Sequence, residues 1–63
     1  MLDNDLYNLM EQLVEESQSL QRIKKHYKVD AKDCSGCKSY WEKLEKDKEQ
    51  HIDELQKLIK EHL

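Results

Sequence analysis

The sequence predicts an all-α fold: an antiparallel two-helix hairpin that dimerises into a four-helix bundle. Three observations lead there. Apolar residues recur at steps of three and four along two long stretches of the chain. The 63 residues include one Gly and no Pro, too few turn formers for a β-rich protein. The segment between the two stretches is short and polar, and short helix–helix connections make antiparallel neighbours. The whole of 1–63 reads as a single helical hairpin.

The first helix is expected over about 3–28. Leu2, Leu6, Leu9, Leu13, Glu16, Leu20, Ile23 and Tyr27 alternate steps of four and three, the spacing of a coiled-coil or bundle seam. Met10 and Val14 widen the stripe beyond a bare two-helix seam. Asp3 or Asn4 can cap the start, with Asp5 and Glu11 toward the positive end of the helix dipole. Arg22, Lys24, Lys25, His26 and Lys28 crowd the other end, where cations are favoured.

Val29-Asp30-Ala31-Lys32 lies in the connection, expected over about 29–33. The second helix is expected over about 34–62, with the seam Cys37, Trp41, Leu44, Lys48, His51, Leu55, Leu58, His62 broadened by Tyr40, Ile52 and Ile59. Asp33 can cap a helix that begins at Cys34, with Gly36 in its first turn. Ser39 can cap a later start through the capping box Ser39-Tyr40-Trp41-Glu42. Asp33 is the preferred start.

Composition narrows the function classes. The chain is 40% charged and 37% hydrophobic, but its apolar residues are periodic, which favours a folded helical chain over disorder. No apolar run approaches the roughly 18 residues of a membrane span. No basic segment leads into an apolar one as in a secretory signal, so a cytoplasmic location is expected. A net charge of -3 and a pI near 5.5 give no reason to expect nucleic acid as a partner. A hairpin has one internal interface and cannot enclose a core, so the partner expected is a second copy.

The seam contains a conflict. Seam positions should be apolar, yet Glu16 interrupts the first helix and Lys48 and His51 interrupt the second. Antiparallel pairing sets Tyr27 against Cys37, Ile23 against Trp41, Leu20 against Leu44, Glu16 against Lys48, Leu13 against His51 and Leu9 against Leu55. Glu16 and Lys48 then share a level, with His51 one layer away.

The segment Trp41–Ile59, WEKLEKDKEQHIDELQKLI, resembles the second helix of a ferritin-like or rubrerythrin-like hairpin. The resemblance implies a Glu-x-x-His pair on the second helix and a single Glu on the first, with two hairpins surrounding a di-iron or related centre. Glu16 matches the lone Glu and His51 the His of the pair, while Lys48 stands where the pair's Glu belongs. A lysine ammonium can neutralise a buried carboxylate without metal and fix the register of a Leu-rich seam. The layer Glu16, Lys48 and His51 is thus read as structural. Two alternatives stay open: all three side chains reach water from the seam edge, or Glu16 and His51 hold metal.

Cys34-Ser35-Gly36-Cys37 sits at the joint. At a helix N-terminus a dithiol gains thiolate character, although the usual setting is a strand-to-helix turn. A zinc ion takes two ligands from one CxxC and needs two more, from His26, from Asp30 or Asp33, or from the CxxC of a second copy. The plain reading is a seam-facing Cys37 beside an incidental Cys34, or a local disulfide. His26 and His62, near helix ends, read as structural, and Tyr27, Tyr40 and Trp41 close the core at the loop end.

No Gly-rich phosphate loop, Ser-His-Asp set or paired-carboxylate cleft is present, so the expectation is a non-enzymatic assembly module without cofactor. The alternative is a zinc- or iron-binding or thiol-redox protein using Glu16 and His51, or Cys34 and Cys37 with His26.

Overall fold

Asp3 opens the first helix. Its backbone is extended and its Oδ1 accepts the Asp5 N–H at 3.1 Å, so one of the unpaired donors at the helix start is satisfied. These and all later coordinates come from a computed structural model that describes residues 3–63. Leu2, the first expected seam residue, lies outside the described residues. Helix α1 runs Asn4–Arg22.

The expected uninterrupted helix is broken at that point by a π-helical turn, Ile23–Tyr27, in which the Lys28 N–H donates to the Ile23 carbonyl five residues back. A short α2, Lys28–Asp30, completes the rod. One extra residue in a turn rotates everything after it by about 100°. This corrects the expected seam. Tyr27 is moved to the edge and left 37% exposed, while Lys28 swings inward to Glu45 and Ala31 becomes buried.

The chain turns over 31–33, with the Cys34 N–H donating to the Ala31 carbonyl at 3.0 Å. Helix α3 spans Ser35–His62. Its cap is neither Asp33 nor Ser39. Cys34 holds an extended backbone at the boundary, and its Sγ accepts the Cys37 N–H at 3.1 Å. Ser39 is therefore an interior residue of the helix.

The two rods lie antiparallel. At the far end His62 Nδ1 meets Asp3 Oδ2 at 3.0 Å, and midway Lys48 meets Glu16. The described residues are helical with no strand, and they extend 50 × 16 × 12 Å. The smallest of these dimensions is the diameter of one helix, so each rod is covered along one stripe only. Leu20, Ile23, Ala31 and Ile59 form the buried apolar core, with Ile23 only 1% exposed.

Helix α3 departs from its expected seam at the C-terminal end. Leu58 is 43% exposed, whereas Ile59, expected only to broaden the stripe, is buried. A straight α-helix drifts by about 20° per heptad against a 3.5-residue repeat. After three heptads the inward position has moved one residue along. Cys37 is likewise exposed rather than packed in the seam.

Candidate functional site

Two places gather reactive side chains, the middle of the hairpin and its tip. In the middle, Glu16 projects from α1 into the interface and is 6% exposed. Its Oε2 accepts from Lys48 Nζ at 2.5 Å, and its Oε1 pairs with His51 Nδ1 at 2.6 Å. Because a carboxylate can only accept, Nδ1 carries the hydrogen in this contact. Lys48 and His51 sit three apart on α3, so both reach the same carboxylate from one helix face. His51 was expected one layer away and instead joins the layer.

The three side chains differ in burial. Glu16 is enclosed, Lys48 keeps 20% of its side chain exposed, and His51 is half exposed. The Lys48 hydrogen bond is the leading influence on the Glu16 carboxyl and holds it below its ordinary range. Burial acts in the opposite direction, and the His51 hydrogen bond adds to the lowering. Lys48 thus occupies one carboxylate oxygen and His51 the other. A shallow groove lined by Gln12, Glu16, His51, Glu54, Leu55 and Leu58 opens beside the layer.

Among the described residues, no three His, Cys, Asp or Glu side chains cluster as a metal-holding group. Glu16 and His51 come together as two donors, with a cation in the third position. A metal ion at this layer needs donors from elsewhere, or the displacement of Lys48.

At the tip, Cys34 and Cys37 lie with their sulfurs at disulfide-bonding distance and their Cα atoms 5.3 Å apart. A cavity beside them is lined by Tyr27, Asp30, Ala31, Cys34, Cys37 and Trp41. The Tyr27 and Trp41 rings meet at 4.9 Å between centroids, and Tyr40 stands edge-on to Trp41 at 5.2 Å. Of the expected candidate ligands, Asp30 lines this cavity and His26 does not.

Two features had no legible signal in the sequence. The Lys28–Glu45 pair, 3.0 Å and partly buried, exists because the π turn rotates Lys28 inward. The Asp3–His62 contact depends on the two rods being of matched length. The cavity at the tip could have been sought from the aromatic cluster near the CxxC. No protein-family model, curated protein or solved structure matches the chain.

Proposed function

We propose that this protein is a small helical assembly module of the cytoplasm, non-enzymatic in its bundle interface, and that two copies pair into a four-helix bundle. The observation that carries the reading is an uncovered apolar strip on α1. Tyr7, Met10 and Val14 recur at three- and four-residue steps and are 49%, 44% and 52% exposed. Met10 is also a surface neighbour of the half-buried Leu13, three residues on, so the strip continues into the hairpin interface. A body one helix thick offers these residues no cover of its own. A second hairpin laid across them supplies it.

The Glu16 layer has a place in this reading. In a Leu-rich interface, a one-turn slip costs little packing. Such a slip here strands a buried carboxylate without Lys48, which raises the cost of every other register. The arrangement is similar to a ferritin-like half-bundle in which an ammonium replaces the metal ions. On this reading the layer sets alignment and carries out no reaction.

Sedimentation at graded concentration tests the pairing. A particle of twice 7.6 kDa is expected, and the double variant Met10→Lys with Val14→Glu shifts it to the monomer while keeping helical ellipticity. A well-folded 7.6 kDa particle at every concentration overturns the reading. Lys48→Glu tests the ferritin-like geometry separately. It restores Glu-x-x-His ending at His51, so a dimer is expected to take up iron, manganese or zinc by elemental analysis. A dimeric, helical variant that stays metal-free removes that likeness.

A further inference from the structure

The chain's two cysteines share the tip of the hairpin, three residues apart, and both are exposed. They are not equivalent. Cys34 is the cap of α3, and its Sγ accepts the Cys37 N–H at 3.1 Å. The two sulfurs lie at bonding distance here; once the pair is reduced, that N–H and the N-terminal end of a 28-residue helix favour negative charge on the Cys34 sulfur. Cys37 lies within the first helical turn, and the spacing brings its sulfur to Cys34 with no backbone movement. The cavity alongside places Trp41 and Tyr27 against the pair, an aromatic wall open to solvent at the end of the rod.

We propose that Cys34 and Cys37 form a thiol–disulfide exchange site for exposed peptide disulfides that carry an apolar residue beside the cysteine. The Cys34 thiolate attacks the peptide disulfide, forming a Cys34–peptide S–S bond and releasing the second peptide sulfur as thiolate. Cys37, deprotonated, then attacks the Cys34 sulfur. The Cys34–Cys37 bond forms and the first peptide sulfur leaves as thiolate. The two released thiolates take up the two protons given up by the cysteines. Two electrons pass from the protein dithiol to the peptide, whose one disulfide becomes two thiols. A dithiol reductant then attacks the Cys34–Cys37 bond by the same kind of exchange, leaves as its own disulfide, and restores the reduced pair. The apolar neighbour of the peptide cysteine rests against Trp41 during the attack. Exchange needs one hairpin only, so it stands whether or not two hairpins pair.

The test uses the reduced full chain and two synthetic disulfide peptides, one with Leu and one with Ser beside the cysteine, followed by mass spectrometry. Wild type is expected to end as the internal disulfide, with both peptide thiols released. Cys37→Ser is expected to stop at a peptide adduct on Cys34, and Cys34→Ser to react about tenfold or more slowly. The Leu peptide is expected to outpace the Ser peptide, with the difference lost in Trp41→Ala. Circular dichroism checks that each variant stays helical. Equal rates for the two single-cysteine variants overturn the proposal, as does equal reactivity of the two peptides with wild type. Purification of the chain with tightly held zinc that blocks both thiols overturns it in favour of a shared metal site between two tips.

Discussion

Glu16 is a carboxylate with a cation on one oxygen and an imidazole on the other, held where an apolar residue is the default. Removing a partner from a fully enclosed ion pair costs ~3–5 kcal/mol, because the remaining charge is stranded. Lys48 keeps 20% of its side chain exposed, so the pair is not fully enclosed and the cost here is smaller. Lys48→Met is expected to lower unfolding stability by about 2 kcal/mol in a urea titration. Replacing both members, Glu16→Leu with Lys48→Leu, is expected to recover that loss or exceed it, since apolar packing often outperforms a buried pair. If the double variant is the less stable of the two, the layer contributes more than alignment.

The same carboxylate sets a pH dependence. Its folded-state value is depressed, so the stability it contributes is fully present above its ordinary value of 4.5 and is lost as pH falls through the lower folded value. Glu16→Gln is expected to flatten the acid side of the stability–pH curve below 4.5 and to leave its shape above that pH unaltered. Denaturant melts at several pH values read this directly. An unchanged acid slope in the variant means that other carboxylates govern acid unfolding.

At the scale of the element, the π turn at Ile23–Tyr27 decides how the hairpin closes. Ile23 is its first residue and the most enclosed side chain of the core. Ile23→Ala is expected to cost ~2–4 kcal/mol by cavity formation. Lys28→Ala, which removes the partly exposed pair with Glu45, is expected to cost less than about 1 kcal/mol. Thermal melts of the two variants rank them, and a larger loss at Lys28 means that the pair, not apolar burial, holds the π turn in place. Cys34 acts at the same scale: a cysteine sulfur in the position usually taken by Ser, Asp or Asn begins a 28-residue helix. The cap and the exchange site are one atom.

For the whole molecule, the deciding quantity is thickness. A body 50 Å long and 12 Å thin exposes a flank of each rod, and few apolar residues are covered on both sides. The proposed pairing of two copies would make stability depend on concentration by mass action. The melting temperature is expected to rise by several degrees as protein concentration is raised a hundredfold. A concentration-independent transition is the signature of a self-sufficient monomer.

Residue spacing alone determined the two rods, their antiparallel sense and the level shared by Glu16 and Lys48, because helical periodicity and a short connection leave little other choice. It also placed Cys34 and Cys37 at the joint. The π turn, the inward swing of Lys28, the exchange of Leu58 for Ile59 in the core and the role of Cys34 as a cap were decided by tertiary packing. All but the cap are rotations of about one residue around a helix axis. Such rotations are set by which side chain the opposite rod can accommodate, a preference that a single strand of letters does not contain.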